Sequence, residues 1–518
     1  MFLRSGLAAL ARYPGGYTTE SLQPEGSIIV AFADLRDWIN DLDERRDLRR
    51  VAAEVDWDEE IGAITREISS QSGPALLFEH IKSYRDTLCR RLFTNGTGTR
   101  ERVCRFIGVP ETTSYRDMVP IFKERFSRPV TPVKVGTGPV KENILRASDI
   151  DLFQFPVPKW NPLDGGRYIM TSATVVTRDP DSGMLNGGTY RGMITGKNGI
   201  GVLLAMTQGW GKHFSKYRSR GQEMPVAVVI GWDQTLFVAA STPVNYPEYE
   251  MAGSLRGAPV ELVQCELSDL LVPASAEIVL EGYISPDPKT FTMEGPFSEY
   301  PGYYGGSKSP KHTLRVECIT HRNDPIFHGC LTGSSPGRTN EGTTWTPATF
   351  SAMAWHYLEQ AGVPNVTGVW RGKWPETLRV QIRKSHRGHA QQVAMALWGC
   401  HLGNYAAKHV IVVDDDIDIH DWEAIEWALC YRVNAGLGDI SFFSATSGSM
   451  LDPSVPLEER NSVKYGHGSW TRVLIDATIN WRLEPQEQYG GDRYPAVGTA
   501  ISGEMAQKLK RRWKEYGF

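Results

Sequence analysis

The stretch from residue 129 to 335 constrains the fold more than any other part of the chain. Six short runs rich in aliphatic and β-branched residues recur there, separated by turn signals: TSATVVTRD, GIGVLLAMT, MPVAVVIGWD, LFVAAST, AEIVLEGYI and HTLRVECIT. Short strands at this spacing predict a barrel or a sandwich. The connections NGGTYRG, NYPEYE and EGPFSEYPGYYGG are glycine-rich and charged, the kind of loop in which a sheet scaffold carries a site. The chain contains 51 Gly and 31 Pro without a repeat, so the excess belongs to turns and loops.

The flanking texture is helical. Residues 1–33 read as a loosely ordered extension that lacks the apolar core and cleavage site of a signal peptide. From Asp34, LRDWINDLDERRDL places Leu35, Trp38, Ile39 and Leu42 on one helical face. WDEEIGAITREISSQSG is a second amphipathic helix closing near Gly73, and ALLFEHI is a strand. The segment RPVTPVKVGTGPVKEN, rich in Pro and Gly, marks a boundary. After 336, TPATFSAMAWHYLEQAG (with Gly362 as its C-cap), GHAQQVAMALWG and DWEAIEWALCYR read as helices. HVIVVDDDIDIHD and RVLIDAT read as strands. The tail GEMAQKLKRRWKEYGF is a basic amphipathic helix, expected to pack or to contact another copy. The expected fold class is α/β (α+β): an N-terminal α/β unit at 34–128, a barrel domain at 129–335 and a C-terminal α/β oligomerisation domain at 336–518.

Several function classes drop out. The net charge of −4 argues against bulk electrostatic nucleic-acid binding. No stretch approaches the roughly 18 apolar residues of a membrane helix. Seven dispersed cysteines without a CxxC pair read as reduced thiols of a cytoplasmic protein. Dinucleotide and P-loop fingerprints and zinc spacings are absent.

Three central segments carry the chemistry. In Asn186-Gly-Gly-Thr-Tyr-Arg191-Gly, paired glycines permit close backbone approach to a ligand. Asn186 offers an oxygen to a hard cation, and Arg191 a fork for a carboxylate or phosphate; a decorated turn is the plainer alternative. In STPVNYPEYE, Glu248 and Glu250 would share a face if the segment is extended, and one could ligate a metal. In Glu294-Gly-Pro-Phe-Ser-Glu299, two carboxylates flank a Pro loop among aromatics. Different environments would make one a proton donor while Arg191 keeps the other ionised. The acidic run Asp414, Asp415, Asp416 and Asp418 reads as a strand end and helix N-terminus rather than a metal site. The basic residues Arg371, Lys373, Arg379, Arg383, Lys384 and Arg387 read as a solvated face, with an anionic substrate handle as the sharper alternative.

These segments, in this order, resemble the UbiD family of decarboxylases, which includes fungal ferulic acid decarboxylase. The resemblance runs from Asp34 through EIGAITREISSQSGPALLFEHI, EGPFSEYPGYYG, GHAQQVAMALWG and VVDDDIDIHDWEAIEWAL. It implies a central split barrel related to flavin reductases that holds prenylated FMN through a divalent metal, usually manganese, and potassium. By resemblance, Arg191, Glu294 and Glu299 are catalytic. Thr171, Asn186, Thr189, Tyr190, Arg191, Gln208 and Lys408 contact the cofactor. Asn186 and Glu248 are metal ligands. Relatives supply a His ligand between those two, but equal spacing here lands near Gln208 and Gly209. His213 is the available histidine, with water or Gln208 as alternatives.

The implied activity is reversible non-oxidative decarboxylation of an aromatic, heteroaromatic, aryl-CoA or α,β-unsaturated acid through a covalent adduct with the cofactor. Glu299 would be the proton donor, and the 336–346 loop would line the substrate pocket. Implied partners are the acid and CO2, a flavin prenyltransferase as cofactor supplier, and further copies of the chain as a dimer or hexamer, with no nucleic acid or membrane. The rival readings are an FMN-dependent oxidoreductase on the same barrel and a non-catalytic carboxylase subunit.

Overall fold

The computed structural model describes residues 32–518 except Asn245, Tyr405, 461–467 and Ala500. The extension expected at 1–33 lies almost wholly outside the described residues.

The N-terminal part contains α1 (Leu35–Glu44), β1 (Leu48–Val51), α2 (Glu60–Ser70), β2 (Ala75–Phe78), β3 (Arg91–Thr94), α3 (Arg100–Phe106) and α4 (Tyr115–Phe126). Asp34 caps α1 by accepting the Arg36 and Asp37 N–H groups, and the helix buries Leu35, Trp38, Ile39 and Leu42, the face its periodicity predicts.

The central part contains β4 (Val133–Lys134), β5 (Asn143–Arg146), β6 (Thr174–Arg178), β7 (Leu185–Gly188), β8 (Gly192–Ile194), β9 (Gly199–Val202), α5 (Gly209–Ser219) and β10 (Met224–Ile230). It continues with α6 (Gln234–Ala240), α7 (Glu248–Arg256), β11 (Glu261–Gln264), β12 (Leu271–Pro273), β13 (Ile278–Ile284), β14 (Thr292–Glu294), β15 (Phe297–Ser298), β16 (Tyr304–Gly305), β17 (Ser309–His321) and β18 (Ile326–His328). The main sheet runs β7-β6-β10-β13-β17-β9-β8, with β5 and β14 also paired to β17. Its pairings are antiparallel, and the sheet curls into a half-barrel. Val175, Val226, Val228, Leu280, Leu314 and Val316 fill its interior, with Trp210 and Phe214 of α5 closing one side. Each such side chain contributes roughly 1.5–3 kcal/mol by leaving water. The N-terminal sheet, β1-β2-β3-β18, takes its last strand from this part of the chain.

The C-terminal part contains α8 (Gly342–Gln360), β19 (Val366–Trp370), β20 (Thr377–Ile382), α9 (His389–Gly399), β21 (His409–Asp414), α10 (Trp422–Arg432), β22 (Ile440–Gly448), β23 (Gly468–Ala477) and α11 (Gly503–Arg512). Its sheet order is β19-β20-β21-β23-β22. Helix α11 buries none of its residues within the chain. None of the described helices is long and apolar enough to cross a membrane.

Four expectations change. LFVAAST is helical: Asp233 caps α6 by accepting the Thr235 N–H, and Leu236 to Ala239 are all buried. A run apolar on every side has no period to separate helix from strand. The Glu248 segment is also helical, starting directly after Pro247, so Glu248 and Glu250 diverge by about 200° instead of sharing a face. Helix α8 begins at Gly342 and buries Trp345, which shortens the expected 336–346 loop. The basic residues do not form one solvated face. Arg371 and Arg379 are buried, Lys384 reaches Thr478 and the Ile479 carbonyl, and Arg383 and Arg387 form exposed pairs with Asp415 and Glu484.

Candidate active site

Arg191 lies in the link between β7 and β8, immediately before β8. Glu294 ends β14, which pairs with β17 at Ser309, and Glu299 follows β15. The three converge. Arg191 Nη2 donates to Glu294 Oε2 at 3.0 Å, and Nη1 donates to Glu299 Oε1. Glu294 is 0% and Glu299 8% exposed, so one guanidinium serves two carboxylates away from water. Burial pushes the Glu299 carboxyl above the usual range, with the Arg191 charge opposing it. Burial would lower Arg191, but Glu299 and Glu294 outweigh it and hold the guanidinium ionised. Arg191 Nε is buried and has no partner among the described residues.

Sequence reasoning missed the segment that holds these carboxylates, Asn161-Pro-Leu-Asp-Gly-Gly-Arg-Tyr168. Asp164 Oδ1 accepts the Ser298 N–H at 2.9 Å, and its Oδ2 accepts the Asn161 N–H at 2.9 Å. Gly165 N donates to the Pro296 carbonyl at 2.8 Å. A Cβ on Gly165 would lie 2.0 Å from the Gly295 carbonyl oxygen, so only glycine allows this backbone approach. Tyr168 donates its hydroxyl to Glu294 Oε1 at 2.9 Å. The only sequence signal was the Asp-Gly-Gly triplet between two predicted strands.

A second group lies on β7 and α5. Asn186 Nδ2 donates to the Tyr190 hydroxyl at 3.2 Å. The Tyr190 ring stacks on Trp210 with centroids 4.2 Å apart and planes 1° from parallel. Trp210 Nε1 donates to Gln208 Oε1 at 3.2 Å. The Thr189 hydroxyl meets that of Ser241 at 3.0 Å. Asn186, Thr189, Tyr190, Arg191 and Gln208 are thus neighbours. Thr171 is engaged elsewhere, accepting the Cys330 N–H at 3.0 Å. Lys408 lies in the C-terminal sheet region, where its ammonium meets Asp452 at 2.8 Å and Ser454 at 2.7 Å; neither bond runs to the barrel.

Glu248 opens α7 and leans onto β7, where its Oε2 accepts the Gly187 N–H at 2.8 Å. Among the described residues no basic side chain pairs with it, and burial pushes its carboxyl up to about 7. A carboxylate held against the strand that carries Asn186 and the oxygen of the Asn186 amide are both hard oxygen donors, of the kind that suits a divalent cation. His213 is buried on α5, with its Nδ1 2.9 Å from Thr177 Oγ1. Thr177 is the register partner of Asn186, so the imidazole faces the same patch, and burial keeps it neutral, as a ligand must be. At the position where a histidine was expected, a Cβ on Gly209 would lie 1.7 Å from Asn186 Oδ1, so the amide occupies the space a side chain would need. Among the described residues, no three His, Cys, Asp or Glu side chains gather around one point.

Comparisons with known proteins meet this geometry. Profiles of the 3-octaprenyl-4-hydroxybenzoate carboxy-lyase match in three parts: the N-terminal domain at 39–121, the Rift-related domain at 131–335 and the C-terminal domain at 344–477. Vanillic acid decarboxylase of Sedimentibacter hydroxybenzoicus in its closed form is 31% identical, with a TM-score of 0.83 over 93% of this chain and 99% of that one. Its open form gives 0.75 over 94% and 99% at 31% identity. The UbiD-class enzyme HmfF of Pelotomaculum thermopropionicum, in complex with FMN, is 32% identical with a TM-score of 0.72 over 92% and 99%. With all three domains matched and nearly the full length of these enzymes covered, the chain belongs to the UbiD family and is a carboxy-lyase.

Proposed function

We propose that this chain catalyses the reversible, non-oxidative decarboxylation of an aromatic, heteroaromatic or α,β-unsaturated carboxylic acid with prenylated FMN, and that Glu299 is the proton donor. The observation that carries this is the buried guanidinium of Arg191 shared by two carboxylates. Three charges in that ratio leave one negative charge uncompensated, and a buried carboxylate in excess takes up a proton. The FMN-bound and prFMN-bound forms of HmfF and the vanillic acid decarboxylase support the cofactor and substrate class.

When bound, the prenylated flavin supplies an electron sink for the pair left on carbon as CO2 departs. The chain does the rest. The free Nε–H of Arg191 receives the substrate carboxylate. Glu294 stays ionised against Arg191. Glu299 delivers its proton to the carbon that lost CO2. The apolar barrel excludes water from the reacting carbon. Asn186, Glu248 and His213 would hold a divalent cation such as manganese, with potassium alongside, and Thr171, Thr189, Tyr190, Gln208 and Lys408 would contact the cofactor.

Arg371 favours a negatively charged substituent on the substrate. It is buried, its Nε and Nη1 have no partner among the described residues, and it lies near Glu376 and Tyr300, the residue after Glu299. The exposed helix α11, with Met505 bare on it and Trp513 and Phe518 bare just after it, supports a homo-oligomer. None of the seven cysteines is paired, which supports a cytoplasmic setting.

Glu299→Gln tests the reading. Holoenzyme made with a flavin prenyltransferase should release prenylated flavin and lose about 10²–10⁴-fold in CO2 release, while the variant retains the cofactor. Turnover at the parent rate, or ordinary FMN in the parent protein, would overturn it.

A further inference from the structure

The shared guanidinium leaves open which glutamate keeps the proton, and the surroundings of the two are unequal. Glu294 has both oxygens engaged, Oε2 by Arg191 and Oε1 by the Tyr168 hydroxyl. Glu299 has Oε1 on Arg191, and no described residue donates to its Oε2. We infer that Tyr168 is a positioning residue that holds Glu294 as the anion, so that the proton of the pair resides on Glu299. The inference rests on the reading of that pair given above.

Three features make the tyrosine a fixed donor. Its ring is 0% exposed and packs on Phe297 with centroids 4.2 Å apart. Its backbone bridges to Met193 on β8, which fixes the Cα from which the ring projects. The hydroxyl lies 3.0 Å from the Pro296 carbonyl as well as 2.9 Å from Glu294. That carbonyl already has a donor, the Gly165 N–H at 2.8 Å. Of these two acceptors the carboxylate carries the charge and binds the single hydroxyl proton more strongly than the neutral carbonyl does. Burial raises the phenol far above its ordinary range, so Tyr168 keeps that proton at every working pH. The other charged groups around the pair are Arg191, which both carboxylates share, Asp164, which lies near Glu299, and Lys311, which lies near Glu294. None of these besides Arg191 donates a hydrogen bond to either carboxylate, so Tyr168 supplies the asymmetry.

Phenylalanine at 168 keeps the ring on Phe297 and removes only the donor. The test uses apoprotein carrying 13C-carboxyl glutamate, with the two resonances assigned by their disappearance in Glu294→Gln and Glu299→Gln. In the parent chain the carboxyl that holds its proton above the ordinary carboxylate range should be that of Glu299. In Tyr168→Phe the Glu294 resonance should titrate too. In holoenzyme the acidic limb of kcat against pH should move up by about one unit, because a protonated Glu294 removes the working form. The KM should change little. Incorporating 3-fluorotyrosine at 168, a stronger donor of nearly the same shape, should move that limb down. A Glu294 resonance and an acidic limb that are the same in Tyr168→Phe as in the parent would overturn the inference. Parent-level turnover by Glu299→Gln would instead overturn the assignment of the proton donor, and the apoprotein titration distinguishes the two failures.

Discussion

Beneath α1, Glu277 lies between two arginines; in the barrel, Arg191 lies between two glutamates. Glu277 is 0% exposed. It accepts from Arg36 Nε at 2.7 Å and Nη2 at 2.9 Å, from Arg322 Nη1 at 3.4 Å and from the Ile326 N–H at 3.0 Å. Arg322 also pairs with Asp34 at 2.6 Å, so two cations meet two anions and every oxygen of Glu277 has a donor. That arrangement fastens the start of α1 to β13 and to the segment leading into β18. Around Arg191 one cation meets two anions, and one glutamate oxygen lacks a donor among the described residues. Both clusters are buried and both use arginine. What separates a fastener from a proton store is the balance of charge, because an uncompensated buried carboxylate costs more than a bound proton.

The balanced cluster gives the larger expected effect on stability. Glu277→Gln leaves Arg36 and Arg322 short of an anion and should cost about 3–5 kcal/mol, read from urea unfolding. The shape of kcat against pH in the surviving enzyme should not change. A shifted pH profile with unchanged stability would show that the two clusters communicate and would break the distinction.

How far the sequence revealed these arrangements follows from the range of the interactions. The face of α1 and the strands β6, β10, β13 and β17 rest on local periodicity, and they fall where the hydrophobic pattern puts them. Arg191, Glu294 and Glu299 stood out because each lies in a glycine- or proline-marked loop. Tyr168 and Asp164 did not, because their partners lie about 130 residues away and nothing in NPLDGGRY announces a hydrogen bond to a distant carboxylate. The helical state of α6 and α7 was hidden for a different reason: one is apolar on all sides and the other begins abruptly after a proline. Glu277 drew no notice at all, since one of the two glutamates in AEIVLEGYI gives no sign of the arginines that surround it.

The acidic run at the end of β21 sharpens the comparison, because neighbouring carboxylates there differ sharply in burial. Arg432 is shared by Asp414 and Asp416, the same ratio as at Arg191. Asp416 is half exposed, however, so water compensates its charge. Asp414 is 9% exposed, and burial pushes it up to about 6 although it accepts the Ile479 N–H at 2.6 Å. Its folded form holds a proton more tightly than the unfolded chain. The stability it adds is therefore full below the ordinary aspartate range and is lost as pH rises through about 6, an effect on the order of 2–3 kcal/mol. Asp414→Asn should flatten that fall, measured as urea midpoints on either side of the window. Asp415, one residue on, pairs with Arg383 at 3.0 Å with side chains 41% and 68% exposed. Asp415→Asn should change stability by about 0.5 kcal/mol or less at any pH. If the two substitutions gave equal slopes, burial would not be what turns a carboxylate into a proton store, and the proton assigned to the buried Glu299 would need another cause.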